Sequence, residues 1–221
     1  MPENLICALD LSAPFASFAL KKGKDLILTE SFVLQNRNNA AFFSSFFLKC
    51  SEYGIDISMI EKWIIGTGPG SFTGLRIASA YVMGITYGSS FKKAVGISSV
   101  FPVAVESVIE NGERLGIIFP SSKETVYFCA VFSDEKGLMF MEKPPECMVK
   151  SELRKINCYN RFAVLCVDNE NEGMRESLPK NSSVVFLNRF PVEKMFCDFQ
   201  NNYSGIEELI YLRPPSMTIK G

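Results

Sequence analysis

The apolar positions of this chain fall into short, almost unbroken runs at residues 5–9 and 15–20, parted by Ser12-Ala13-Pro14. Such runs predict two strands, at least one of them well buried. A turn at Lys21-Lys22-Gly23-Lys24 leads to a third strand over residues 26–34. Asn38 and Asn39 then offer an N-cap to a helix that runs to about Tyr53, with Gly54 placed to stop it. Residues 61–65 read as the end of a buried strand. Next comes Gly66-Thr67-Gly68-Pro69-Gly70-Ser71-Phe72-Thr73-Gly74-Leu75-Arg76-Ile77-Ala78, with four glycines and a proline among its first nine residues. Leu75, Ala78, Val82 and Ile85 follow helical spacing, so this segment is a tight loop that feeds a helix ending near Gly88. Residues 94–97 read as a fifth strand, and Ser98 or Ser99 can cap a helix over 101–109.

The second half starts again in the same order. Strands are expected over 114–119 and 125–132, with a hairpin turn at Ser133-Asp134-Glu135-Lys136-Gly137 and a third strand over 138–141. A short helix over 149–157, strands over 162–167 and 183–187, and a helix over 192–200 follow. Each half begins with three successive strands and then alternates, which points to an α/β fold of two related lobes, residues 1–111 and 112–221. This duplication rests on element order, because the halves show no visible sequence identity.

Composition narrows the chemistry. The chain has 221 residues, 47% of them hydrophobic, enough for a substantial core. Its 23 basic and 24 acidic side chains leave a net charge of -1, so the footprint of a protein that grips nucleic acid by its phosphates is missing overall, and only a local basic patch stays open. Seven cysteines, none in a CxxC pair and most among apolar neighbours, fit a reducing, cytoplasmic compartment. Glu3 and Asp10 break up the N-terminal stretch, and the apolar run at 81–87 is short, so neither a signal peptide nor a membrane span is expected. The chain contains no histidine, which removes the commonest general acid/base and the commonest zinc ligand.

Two places could carry chemistry. A glycine-rich turn at a helix N-terminus is a ready anion site, because unpaired N–H groups and the positive end of the dipole face outward. The segment lacks the Gly-Lys-Ser/Thr of a P-loop and has the wrong third glycine spacing for a dinucleotide site. Spacing alone favours a conformational role, in which the glycines permit tight turns and close packing while Ser71 caps the helix. Asp10 ends the first strand and is followed by Ser12, where open α/β sheets collect ligand groups. It can hold a metal-bound phosphate or close an Asx-type turn, and the residues alone do not decide.

A third place looks like a contact surface. The helix that starts near residue 40 carries Phe42, Phe43, Phe46 and Phe47, more apolar perimeter than one core stripe needs. The spacing allows 43, 47 and 50 to face the sheet while 42, 46, 49 and 53 point elsewhere, which would make a partner surface. The next helix adds small residues, Gly74, Ala78, Gly84 and Gly88, that would admit a close neighbour.

The run from Gly66 to Ile77 resembles the G-x-G-P-G-S-F-T-G-x-R-I signature of the TsaB (YeaZ-like) family. Leu9-Asp10-Leu11-Ser12, Val95-Gly96-Ile97-Ser98-Ser99, Val126-Tyr127 and Tyr211-Leu212-Arg213 agree in order and spacing. The resemblance implies a two-lobed actin/Hsp70/sugar-kinase-like (ribonuclease H-like) fold. It also implies a non-catalytic subunit that pairs with a TsaD-like enzyme and a TsaE-like ATPase to place a threonylcarbamoyl group on the tRNA adenosine beside the anticodon. Such a chain forms a homodimer when alone, meets tRNA indirectly, and has no cofactor of its own, any nucleotide being shared at the partner interface.

Family contacts use the two N-terminal-lobe helices, here about 39–54 and 72–88. They imply an interface of Phe42, Phe43, Phe46, Phe47, Phe72, Leu75, Arg76, Ser79 and Met83. The glycine motif comprises Gly66, Gly68, Pro69, Gly70, Ser71, Thr73 and Gly74, and Asp10 and Ser12 are candidate ligand residues. The chain departs from the family at Asn38-Asn39-Ala40-Ala41, where a histidine is common, and at Phe119-Pro120-Ser121, where an acid is usual. The competing reading is an independent nucleotide-dependent phosphotransferase or ATPase that uses Asp10 and the glycine loop. A metallopeptidase would need a metal site that a chain without histidine is poorly equipped to build.

Overall fold

Strand β1 (Leu5–Asp10) lies inside a sheet and is covered on both faces, so its side chains divide by parity: Leu5, Cys7 and Leu9 enter one core and Ala8 another. The computed structural model describes residues 4–12, 14–33, 39–167, 171–199 and 202–210. Strands β2 (Phe15–Lys22) and β3 (Asp25–Val33) continue from β1 as an antiparallel meander. On the other side, β4 (Ile60–Gly66) and β5 (Lys93–Ile97) run parallel to β1. Helices α1 (Asn39–Glu52) and α2 (Phe72–Thr86) cover one face, where Phe42, Phe46, Cys50, Ala78 and Val82 pack with Trp63 and Leu9.

The second sheet repeats the plan. Strands β6 (Arg114–Pro120), β7 (Thr125–Ser133) and β8 (Met139–Val149) form the meander, and β9 (Arg161–Leu165) and β10 (Ser183–Leu187) lie parallel beyond β6. The orders are β5-β4-β1-β2-β3 and β10-β9-β6-β7-β8, the same arrangement twice. This is the mixed α/β, two-sheet fold expected from the order of elements. Between the sheets lies one shared core, in which α3 (Val100–Glu106) and the 3-10 helix Val192–Phe196 join Ala8 and Ile64 of the first sheet to Ile117 and Leu165 of the second. Among the described residues, no helix is long and apolar enough to cross a membrane.

Several elements differ from their sequence expectations. The helix expected over 149–157 is a 3-10 helix at Lys150–Lys155, and the one expected over 192–200 is the 3-10 helix already named, with residue 200 outside the described set. The expected 101–109 helix stops at Glu106, and Val108 has a φ of 53°. The expected short strand over 138–141 extends to Val149 despite Pro144 and Pro145, which an edge strand tolerates because it leaves one row of N–H groups unpaired. Helix α4 (Asn171–Glu176) and strand β11 (Tyr203–Ser204) carry no strong sequence pattern. Strand β11, placed by sequence with the second half, pairs antiparallel with β5 and so extends the first sheet.

Candidate functional site

The end of β1, the glycine segment and the start of α3 converge on Asp10. Its carboxylate is fully buried: Oδ1 accepts from the Ser12 amide at 2.8 Å and from Ser12 Oγ at 2.5 Å, while Oδ2 accepts from Ser99 Oγ at 2.6 Å. A Cβ on Gly66 would stand 1.7 Å from Asp10 Oδ2, so the last residue of β4 is glycine because the carboxylate occupies the space of a side chain. At Gly70 a Cβ would meet the Ser12 carbonyl oxygen at 1.7 Å, and the Ser71 amide donates to that same oxygen at 2.5 Å. The loop is pressed onto the Leu11-Ser12 backbone.

Four of its amides, those of Thr67, Gly68, Ser71 and Gly74, donate to protein. The Thr67 amide donates to the Ile97 carbonyl at 2.9 Å, the Gly68 amide to Ser99 Oγ at 3.2 Å, and the Gly74 amide to Ser71 Oγ at 3.2 Å as the N-cap of α2. The Gly68 carbonyl accepts from the Ser99 amide at 2.9 Å and from Ser98 Oγ at 3.0 Å. An anion cradle needs such amides turned toward a ligand. Here they hold the segment to the ends of β1 and β5.

Burial pushes the Asp10 carboxyl up from 3.8 to about 6, against the hydrogen bonds from Ser12 and Ser99 that pull it down. The folded state therefore binds the proton more tightly than the unfolded one. The stabilisation that follows is complete below the unfolded value near 3.8 and is lost as the pH rises through about 6. Asp10→Asn keeps an acceptor for Ser12 and cannot ionise. The wild type is expected to lose on the order of 2–3 kcal/mol relative to this variant between pH 4 and pH 7, read by urea unfolding at each pH. A constant difference across that range would mean that Asp10 titrates alike in the folded and unfolded states and that burial does not raise its carboxyl.

Ser99 stands at the N-cap position of α3 that the sequence allowed it. It precedes α3 without making a side-chain cap and instead joins Asp10 to Gly68. A second element went unforeseen: beyond β11 the chain crosses α2 and the glycine loop, where Ser79 Oγ donates to the Ile206 carbonyl at 2.8 Å and the Ile210 amide donates to the Thr67 carbonyl at 2.8 Å. The one sequence signal was Gly96 inside a five-residue strand, where a Cβ would collide with Thr67 and Ser204.

The two helices correct the expected contact face. Phe42 and Phe46 are buried in the core with Phe18 and Trp63, because α1 presents 42, 46 and 50 to the sheet. Positions 42 and 46 therefore exchange places with the expected 43 and 47, while Cys50 faces the sheet as expected. Leu75 and Ser79 are buried too, on the inner side of α2. Neither these two nor Phe42 and Phe46 can form a surface. Phe43 is half-buried and meets Tyr81 of α2 at 4.3 Å between ring centres, so it joins the helices to each other. Phe72 is half-buried beneath the exposed Arg76 guanidinium, 4.1 Å from its ring centre, while Thr73 is exposed and Pro69 buried.

Of the expected interface, Arg76, Phe47 at 42% exposure and Met83 at 48% lie outside, with two residues sequence did not single out, Leu48 at 60% and Tyr87 at 91%. In the second sheet β6 ends at Pro120 and Ser121 follows it, so the place that corresponds to Asp10 carries no carboxylate. The described residues hold no group of three or more His, Cys, Asp or Glu that could take a metal ion. The Tyr211-Leu212-Arg213 match lies outside the described residues.

No family model matches the chain, and no curated protein matches it by sequence. Solved structures do. An uncharacterised Pseudomonas aeruginosa protein with similarity to peptidase YeaZ aligns with a TM-score of 0.70 at 19% identity, over 95% of this chain and 100% of that one. YeaZ from Pseudomonas aeruginosa aligns with a TM-score of 0.65 at 20% identity, over 87% and 88% of the two chains. The chain has the YeaZ fold. In this YeaZ-like frame the glycine segment is the joint between β4 and α2, and Asp10, Ser12 and Ser99 are the bolts that fix it.

Proposed function

We propose that this chain is a non-catalytic subunit that pairs with a TsaD-like enzyme, alongside a TsaE-like ATPase in the cytoplasm, for threonylcarbamoyl transfer to tRNA. The observation that carries the reading is the division of labour around the glycine segment. Four of its amides, those of Thr67, Gly68, Ser71 and Gly74, donate to protein, while α2, which it positions, and the neighbouring α1 keep Met83, Tyr87, Phe47 and Leu48 outside. Exposed large apolar side chains on neighbouring helices are what a partner surface uses. A homodimer of the isolated chain would use the same face. The phosphotransferase alternative has only Asp10 to work with, and that carboxylate is sealed and saturated by serines.

Met83→Asp and Tyr87→Asp are expected to weaken binding to the cognate TsaD-like protein about ten-fold or more, measured by calorimetry. Their unfolding free energies should stay within about 0.5 kcal/mol of wild type, since both side chains are exposed. Unchanged affinity in both variants would move the contact away from α2. Tight binding of ATP and magnesium by the isolated chain would favour the enzyme instead.

A further inference from the structure

The outer face of the second sheet has its own core, in which Leu153 of the 3-10 helix Lys150–Lys155, Met174 of α4 and Leu178 pack against Ile118, Phe128 and Phe162. Between these covering segments the surface opens into a cleft of about 630 Å3, within the range that takes small ligands. Arg154, Arg175 and Lys180 line it, against the carboxylate of Glu176, over Leu178 and Pro179. This is a local excess of positive charge in a chain whose net charge is -1.

Neutral acceptors aim both guanidinium groups. Arg154 Nε donates to the Glu176 carbonyl at 2.7 Å, and Arg175 donates to the Lys180 carbonyl at 3.2 Å and to Ser182 Oγ at 3.3 Å. Such bonds orient a cation without cancelling its charge. Arg114, Arg161 and Arg189 each pair with a glutamate, whereas among the described residues no carboxylate pairs with Arg154, Arg175 or Lys180. Forked guanidinium donors with a neighbouring ammonium match the oxygens of a phosphoryl group.

We propose that this cleft binds the phosphoryl end of a small phosphorylated molecule of about mononucleotide size. The remainder of the ligand would lie on Leu178 and Pro179, within reach of the Asn157 and Asn181 amides that also line the cleft. Three cations gathered in one cleft suit a compact anion better than an RNA strand, which is gripped along a track of phosphates. The site belongs to the second sheet's outer face and does not depend on the partner surface of α1 and α2.

Calorimetric titration of the full chain with ADP, with pyrophosphate and with an RNA stem-loop tests this at physiological salt. Saturable binding of ADP or pyrophosphate is expected, weakened about ten-fold or more by the Arg154→Gln/Lys180→Gln double variant. Both side chains are exposed and the hydrogen bond lost is that from Arg154 to the Glu176 carbonyl, so the thermal midpoint should move by no more than a few degrees and a folding defect would be recognised. Absence of saturation by both small probes, binding indifferent to the double variant, or binding of RNA alone would overturn the proposal.

Discussion

Phe46→Ala is expected to lower the unfolding free energy by about 3–5 kcal/mol, the usual cost of emptying a large aromatic site. Phe46 is fully buried and meets Phe18 at 4.9 Å, nearly edge-on at 85°, and Trp63 at 6.2 Å. The hole would open where α1 meets the sheet, and neighbouring rings in fixed positions close it only in part. In a chain of this length the thermal midpoint should fall by roughly 10 °C. Phe47→Ala, one residue along, removes a half-exposed ring and should cost about 1 kcal/mol or less. Equal losses from the two substitutions, measured by chemical denaturation, would mean that α1 is rotated from the orientation described.

Gly70→Ala is the second large effect. The added carbon would lie 1.7 Å from the Ser12 carbonyl oxygen and 2.3 Å from its carbon, and backbone atoms cannot swing aside as a side chain can. The end of β1 and the start of α2 would have to separate, which breaks the Ser71-to-Ser12 bond and disturbs the Asp10 cluster. A loss of about 3 kcal/mol or more is expected, with reduced soluble yield. Gly84 offers the control. It lies within α2, a Cβ there meets nothing within 4 Å, and Gly84→Ala should stabilise the isolated chain by about 0.5–1 kcal/mol. If Gly70→Ala is tolerated as well as Gly84→Ala, the glycine segment is not the tight joint described.

The strands were legible because buried strands write themselves as apolar runs, and three in succession at the head of each half betrayed the repeated plan. The phase of α1 was not legible. Four phenylalanines in six positions fit either rotation of the helix, and the choice is made by Phe18 and Trp63, which lie far off in sequence. Asp10 was legible as a residue at a strand end but not as a sealed one, since Ser99 reaches it from 89 positions away. Strand β11 is two residues long, too short to show a period, and its place is set by the small residue at Gly96 opposite it.

The function proposed for this chain is association, with the glycine segment as the joint that sets α2 beneath its partner surface. Reconstituted modification of the cognate tRNA by the TsaD-like and TsaE-like proteins, with and without this chain, tests that most directly. Threonylcarbamoyladenosine is predicted to form only when the chain is present, and to fall with Met83→Asp or Tyr87→Asp in step with the lost binding. Modification that proceeds equally well without the chain would contradict it.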